Sequence, residues 1–315
     1  MALLGVWAVS RLEAEHWWFS NLLLYLPQLL YGIPLLGLLP ICLLRKEGYG
    51  LLACLAAAAL VLGPMMGFHL PRVGAAPQGA TLRIMTYNIW QAATGVERTL
   101  AVIQKEAPDV LALQETAGGP RGEEFAAALQ KLFPGYSFLR ASEYLIASRY
   151  RILASEMRRL DSRGRRQTLW AQLDGPTGPF NLFVVHLYTA MHGDNVVLTP
   201  SDLPDYLGRT ASLRLREAYT LVGALADCQG PVVVVGDLNT PPYGLVYSIL
   251  TRGLRDAFDV GGFAWGFTYP AHVPLLRIDH ILVSARWHVR RAWVGGGKGS
   301  DHRPVVADLV LPADH

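Results

Sequence analysis

The sequence predicts an α/β domain of two sheets packed face to face with helices outside, preceded by a pair of apolar helices. The chain has 315 residues, enough for one large domain and an appended segment. Its N-terminal part contains two long apolar runs. After them, short apolar runs alternate with helical stretches, without an internal repeat. Strands and helices mixed in this way within one domain predict the two-sheet arrangement.

The two apolar runs are Leu22–Leu44 and Leu51–Leu70, and neither contains Lys, Arg, Asp or Glu. Each is about as long as a helix that crosses a bilayer. We therefore predict a transmembrane hairpin. A pair of buried core helices and a re-entrant hairpin are the alternatives. Pro27, Pro34 and Pro40 are expected to kink the first run.

No basic segment precedes an early apolar run, so the N-terminus differs from a cleavable signal peptide. Arg45 and Lys46 lie between the two runs, and the positive-inside rule places such a loop in the cytoplasm. Arg11 and Arg72 at the outer ends nearly balance this bias. The expected arrangement is an anchor over residues 1–70, a linker rich in Pro, Gly and Ala over 71–80, and an exported domain over 81–315.

The C-terminal domain is predicted to contain eight strands and four helices. The strands are expected at Leu82–Ile89, Asp109–Gln114, Tyr144–Ser148, Thr168–Leu173, Phe180–Leu187, Pro231–Gly236, Arg277–Val283 and Val305–Leu311. The helices are expected at Val96–Glu106, Gly122–Phe133, Thr210–Ala226 and Tyr243–Thr251. A long loop over Tyr188–Gly208 is expected to be either a lid or an ordinary packed loop.

Polar and ionisable side chains recur at the ends of the apolar strands. They are Asn88, Glu115, His186, Asp237 and Asn239, followed by Asp279, Asp301 and His302. Such groups are costly beside apolar runs unless they are paired, hydrogen-bonded or bound to a metal ion. Taken singly, each has a structural explanation as a turn residue, a helix cap, a core histidine or an ion-pair partner. Their recurrence at one edge of a sheet predicts a shared site.

Six segments carry these residues in a fixed order. They read RIMTYNIW, DVLALQET, FVVHLYT, VVVVGDLNTPP, RIDHILVS and GSDHRPVV. This ordered set resembles the endonuclease/exonuclease/phosphatase superfamily over essentially all of 81–311. The resemblance implies a four-layer α/β sandwich, a divalent metal ion and hydrolysis of a phosphate ester.

The resemblance also implies a metal site and a base. Glu115 would be the main ligand of Mg²⁺, helped by Asn88, with Asp301 a further ligand directly or through water; Mn²⁺ and Ca²⁺ are alternatives. Asp237 would orient and deprotonate the attacking water, and Asn239 would hold Asp237 or the phosphate.

Two histidines would contact the phosphate. By the same resemblance, His302 would bind a non-bridging oxygen, and Asp279 would orient it and keep it cationic. His186 would be the second phosphate donor.

The motif details look closest to membrane-bound bacterial members of the superfamily, such as the teicoplanin-resistance phosphatases. A lipid-borne substrate is therefore expected, namely a phospholipid, a sphingolipid or a polyprenyl pyrophosphate, with the domain outside a bacterial inner or cell membrane. A membrane-tethered nuclease and a non-catalytic scaffold are the alternatives. The net charge of +3 and only four lysines, without a dense basic tract, disfavour a nucleic-acid partner.

Overall fold

The fold is described from a computed structural model, over residues 2–71, 79–116, 118–161, 166–190, 199 and 201–312. Its N-terminal helices are α1 (Ala2–Leu12), α2 (Trp18–Tyr25), α3 (Ile33–Leu44) and α4 (Gly48–Leu60). Single 3₁₀ turns at Ala14–His16 and Gln28–Gly32 precede α2 and α3, and a π-helical turn at Val61–Met65 extends α4.

The C-terminal domain contains twelve strands and five helices among the described residues. The strands are β1 (Thr81–Asn88), β2 (Val110–Gln114), β3 (Ser137–Ala141), β4 (Tyr144–Ser148), β5 (Ile152–Arg159), β6 (Gln167–Gly175), β7 (Gly178–His186), β8 (Val232–Asp237), β9 (Arg255–Asp256), β10 (Asp279–Val283), β11 (His288–Val294) and β12 (Val305–Val310). The helices are α5 (Val96–Glu106), α6 (Gly119–Leu132), α7 (Leu203–Ala226), α8 (Leu245–Leu250) and α9 (Ala257–Gly261).

The strands form two six-stranded mixed sheets, which confirms the predicted α/β class. Their orders are β11-β12-β1-β2-β4-β3 and β5-β6-β7-β8-β10-β9. Apolar side chains from both sheets meet in one central core. Helices α5 and α6 cover the outer face of the first sheet, and α7 and α8 cover that of the second. This helix–sheet–sheet–helix order is a four-layer sandwich.

Four strands were not predicted, and they are the four edge strands of the two sheets: β3, β5, β9 and β11. The eight predicted strands include all the interior ones. Interior strands are buried on both faces and therefore read as apolar runs, as in β8, where every residue is buried. Strand β5, by contrast, contains no fully buried residue and carries charged side chains, as edge strands usually do.

The first apolar run differs from its predicted extent. We expected one kinked helix over Leu22–Leu44, but α2 ends at Tyr25 and a separate apolar helical segment covers Gln28–Arg45. Pro27 lies at the break, where it cannot continue the helical hydrogen bonding. The second segment is Gly48–Met65. Both are long and apolar enough to cross a membrane, and only 11% and 17% of them are buried.

The loop expected over Tyr188–Gly208 is shorter than predicted at its C-terminal end. Helix α7 begins at Leu203, so the last part of that stretch is helical. Tyr206 and Leu207 are buried there, which agrees with packing and not with a lid. The remaining part at 191–198 lies outside the described residues.

Candidate active site

The register of the second sheet places three of the predicted site residues side by side. Strand β7 pairs in parallel with β8 so that His186 lies opposite Asp237. Strand β10 pairs antiparallel with β8 so that Asp279 also lies opposite Asp237. Gly236, just before the aspartate, has a φ of +143°, and a Cβ there would lie 1.8 Å from the carbonyl oxygen of Val185. Only glycine fits this position, which explains the glycine of the GDLN motif.

The first sheet supplies the remaining groups from its adjacent strands. Asn88 ends β1, and Glu115 follows the end of the parallel neighbour β2. Asp301 and His302 come shortly before β12, which pairs antiparallel with β1 and so starts at the same edge. The two sheets therefore present their polar ends to one pocket. Its walls are formed by Tyr25, Trp90, Glu115, Arg166, His186, Thr189, Ala190, Asp237, Asn239, Tyr269, Leu276, Ile278, Asp301 and His302.

All eight predicted residues lie in or directly behind this pocket. Six line it, whereas Asn88 and Asp279 contact the lining residues from behind. The Asn88 amide nitrogen donates to Glu115 Oε1 at 2.9 Å and to Asp237 Oδ2 at 3.1 Å. The Arg277 guanidinium, an alternative partner for Asp279, instead binds Asp256 and Asp259.

The Asp237 carboxylate lies at the centre of the pocket. Its Oδ2 is 3.6 Å from His302 Nε2 and 3.8 Å from His186 Nε2. Burial raises the pKa of Asp237, and the two imidazoles partly offset that shift. A carboxylate with a raised pKa is a better proton acceptor than an exposed one.

His302 is held by Asp279. His302 Nδ1 donates to Asp279 Oδ2 at 2.9 Å, and both side chains are buried. Burial alone would lower the pKa of His302, but the charges of Asp279 and Asp237 and this hydrogen bond raise it to about 10. The imidazole is therefore cationic at neutral pH, with Nε2 directed towards Asp237.

His186 has a similar partner that the sequence did not reveal. Its Nδ1 donates to Glu143 Oε2 at 2.8 Å. Burial opposes the charged imidazole, yet Glu143 and Asp237 raise the pKa of His186 above its ordinary value. Burial would also raise the pKa of Glu143, but His186 and Arg166 lower it. The site thus contains two carboxylate–imidazole pairs, one on each side of Asp237.

Two non-glycine residues at the strand ends have left-handed backbone. Glu115 has a φ of +52° and Asn239 a φ of +46°, a conformation that is uncommon outside glycine and clusters at functional sites. We expected the Asn239 side chain to hold Asp237 or the phosphate. Instead the chain turns, the Asn239 backbone N–H donates to Asp237 Oδ1 at 2.9 Å, and the Asn239 side chain donates to the carbonyl oxygen of Leu187.

The carboxylate oxygens that line the pocket are suitable ligands for a divalent metal ion. Glu115 is partly exposed at the pocket wall, and the carboxylates of Asp237 and Asp301 line the same wall. Such hard oxygen ligands suit Mg²⁺ or a similar ion. A second group of possible ligand atoms, from Asp237, Asp279 and His302, lies within 4.8 Å. The His302–Asp279 hydrogen bond occupies one atom of each partner in that group.

Asn88 does not yet present a metal-ligand atom. Its amide nitrogen faces Glu115, while its oxygen accepts from the Trp90 backbone N–H at 3.1 Å. Rotating the Asn88 side-chain amide by about 180° would exchange its oxygen and nitrogen and direct the oxygen to the pocket. Asn88 would therefore act as a ligand only after that rotation.

The residues not anticipated at the site include Tyr25, Arg166 and Tyr269, which line the pocket, and Glu143, which contacts His186. The Tyr269 ring packs at a tilt of 46° against His302, with ring centroids 4.8 Å apart. Arg166 belongs to a basic cluster with Arg158, Arg159, Arg163 and Arg165. From the sequence this cluster is expected to be a solvated loop, with a patch for anionic lipid headgroups or phosphates as the alternative. Glu143 sits in the tight β3–β4 turn, and Tyr25 in an apolar run. The local sequences around Glu143 and Tyr25 carry no signal for chemistry, because a turn glutamate and a tyrosine among leucines are common in ordinary structure.

The fold resembles several solved structures. An endonuclease/exonuclease/phosphatase family protein from Bacteroides thetaiotaomicron is 19% identical, with a TM-score of 0.58 over 75% of this chain and 100% of that chain. A mannosyl-6-phosphatase from the same organism is 19% identical, with a TM-score of 0.56 over 73% of this chain and 99% of that one. D. rerio TDP2 complexed with a single-strand DNA product is 19% identical, with a TM-score of 0.54 over 73% and 99% of the two chains.

Curated protein sequences contain no match to the chain. The model of the endonuclease/exonuclease/phosphatase family matches residues 85–302, which is more than half of the chain and includes every predicted site residue. The ordered strand-end motifs, the two-sheet fold and this match agree. The chain therefore belongs to the endonuclease/exonuclease/phosphatase family.

Proposed function

We propose that this protein is a membrane-anchored, Mg²⁺-dependent phosphoesterase that hydrolyses a phosphate ester or pyrophosphate of a lipid. The observation that carries the proposal is the position of Asp237 between two buried imidazoles, His186 and His302, each paired with its own carboxylate. A buried acid flanked by two imidazoles, each with a carboxylate partner, suits a phosphorus centre attacked by water.

Each group has a definite task in such a reaction. His302 and His186 would donate from Nε2 to the non-bridging phosphate oxygens, since their Nδ1 atoms are already engaged. Asp237 would accept the proton of the attacking water, with its own orientation fixed by the Asn239 backbone N–H. A divalent ion held by Glu115, Asp301 and Asn88 would neutralise charge on the phosphate oxygens.

The N-terminal helices support a membrane location. The segments Gln28–Arg45 and Gly48–Met65 are largely exposed, whereas core helices of soluble proteins are mostly buried. The charged turn Arg45–Glu47 joins the two segments and is exposed, as a loop beyond the bilayer would be. At the near end, Trp265 donates from its indole to the Leu62 carbonyl oxygen, and Phe68 and Phe263 pack edge to face. Such aromatic groups are typical of the membrane–water interface.

A membrane location favours a lipid-borne substrate, because the site and the substrate then share one surface. A tethered nuclease is the second candidate, supported by the likeness of fold to TDP2 in complex with single-strand DNA. Among the described residues, Arg166 is the single arginine or lysine that lines the pocket. A groove that follows a nucleic-acid backbone usually has several basic side chains, so the lipid substrate is the better proposal.

The test is a metal-dependent activity screen on the full-length protein in detergent. Its substrates are a phospholipid, sphingomyelin, a prenyl pyrophosphate and single- and double-stranded DNA. We expect Mg²⁺-dependent release of phosphate or headgroup from one lipid class and little cleavage of DNA. DNA cleavage that exceeds every lipid rate and falls steeply with salt would favour the nuclease. Absence of any hydrolysis would support the scaffold.

A further inference from the structure

The segment just before the first apolar helix is built into the C-terminal domain. Glu15 Oε2 accepts from the Leu245 backbone N–H at 2.6 Å, and the Asn21 amide donates to the Leu207 carbonyl oxygen at 3.0 Å. Glu15 is 4% exposed and Asn21 is fully buried. A buried polar group that lost such a partner would remain unsatisfied, so these contacts fix the segment in place.

A buried arginine supports the same segment from behind. Arg214 of α7 is fully buried and donates to Asn21 Oδ1 at 3.3 Å. Its guanidinium carbon lies 5.2 Å from the centroid of the Tyr25 ring. This distance allows a cation–π contact in a site without solvent. The ring of Tyr25 is therefore held on one face by α7.

Tyr25 reaches the active site from this position. Its side chain lines the same pocket as Glu115, His186, Asp237 and His302. Its hydroxyl donates to the Asn239 carbonyl oxygen at 2.7 Å, and the Asn239 N–H donates to Asp237 Oδ1 at 2.9 Å. Burial raises the pKa of Tyr25, so the hydroxyl stays protonated and keeps donating.

The same residue is close in sequence to the first apolar helix. That helix begins at Gln28, three residues after Tyr25. Three residues of extended chain span about 10 Å at most. The helix and the pocket wall are therefore tied together over a short distance, with no flexible tether between Tyr25 and the apolar segment.

We propose that Tyr25 is a positioning residue of the active site: it fixes the left-handed Asn239 turn and, through it, Asp237. This inference rests on the proposed phosphoesterase function. On this view the N-terminal segment completes the catalytic site in addition to anchoring it. The active site of this chain then includes a residue from outside the stretch matched by the family model, which starts at residue 85.

The test compares Tyr25→Phe and Tyr25→Ala with Tyr31→Phe in the full-length protein with Mg²⁺. Tyr31 is a matched control, because its hydroxyl donates to the Leu23 carbonyl oxygen within the same segment and does not line the pocket. We expect Tyr25→Phe to lower kcat about tenfold on a water-soluble aryl phosphate ester with little change in KM, since one hydrogen bond that positions Asp237 is lost. Tyr25→Ala should lose more, and Tyr31→Phe should match the wild type.

Hydrogen exchange gives a readout that does not need turnover. Tyr25→Ala should speed amide exchange in the peptide covering 237–240 and leave β1 unchanged, because the Asn239 carbonyl oxygen loses the hydroxyl that donates to it. An unchanged kcat in Tyr25→Phe and Tyr25→Ala, or unchanged exchange at 237–240, would overturn the inference. A wild-type protein that hydrolyses no ester would refute the proposed function, and the exchange result would then decide by itself whether Tyr25 positions the turn.

Discussion

Glu143 and His186 lie 2.8 Å apart, carboxylate to imidazole, although 43 residues separate them along the chain. The contact forms because the β3–β4 turn of the first sheet reaches the end of β7 in the second. It gives His186 the same kind of partner that Asp279 gives His302. Both pairs leave Nε2 free to face the centre of the pocket.

The first prediction concerns this pair. Glu143→Gln should lower kcat/KM about ten- to a hundredfold, because the imidazole loses the carboxylate that raises its pKa and orients its ring. Steady-state rates on a soluble phosphate ester measure the effect. Glu123→Gln is the control, since Glu123 pairs with Arg140 at the exposed surface. Equal rates for the two variants would show that His186 needs no carboxylate partner.

The second prediction concerns the proton acceptor and the cationic donor. Asp237→Asn and His302→Ala should each reduce the rate at least about a hundredfold, because one removes the base and the other a phosphate donor. Thermal unfolding should be measured alongside, to separate chemistry from folding. If both variants fold and retain the wild-type rate, the proposed roles of these residues are wrong.

The third prediction concerns the metal ion. A chelator should abolish hydrolysis, and added Mg²⁺ should restore it. Glu115→Gln should weaken Mg²⁺ binding at least about tenfold, measured by calorimetry, since the carboxylate proposed as the main ligand is lost. Asp174→Asn changes an exposed carboxylate paired with Arg151 and should leave binding unchanged. If Glu115→Gln bound Mg²⁺ with wild-type affinity, another residue would have to be the main ligand of the ion.

The fourth prediction concerns stability. Burial raises the pKa of Glu217 to about 7, although the Tyr188 N–H and Arg166 partly counter the shift. Since folding favours the protonated form, the stabilisation is complete below the unfolded pKa of about 4.5 and is lost as the pH rises through 7. The full loss amounts to about 3 kcal/mol.

Glu217→Gln tests this dependence, because glutamine can still accept from the Tyr188 N–H and does not ionise. Thermal midpoints of both proteins should be compared at about pH 5 and about pH 8. The wild type should lose more stability over this interval than the variant. Parallel pH profiles would mean that Glu217 is already ionised at low pH or has access to water.

Much of the candidate site could be predicted from the sequence because interior strands fix where their ends lie. Asp237 and His186 lie at the ends of apolar strands that are buried on both faces. If these strands are adjacent and parallel, the two side chains must lie close together, as the structure shows. Asn239 shows the limit. Its place beside Asp237 was foreseeable, but its left-handed φ, which exchanges the roles of backbone and side chain, depends on how the turn packs against Leu187.

By itself, the sequence determined the α/β class, the eight interior strands, and the eight polar residues that line or support the pocket. It could do so because strands buried on two faces are apolar runs that end in polar groups. Only the tertiary structure decided the four edge strands, the partner of His186 and the docking of α2 against the pocket. Edge strands, a turn glutamate and a tyrosine among leucines have ordinary local sequences. Their roles come from contacts between segments far apart in the chain, and such contacts leave no local pattern.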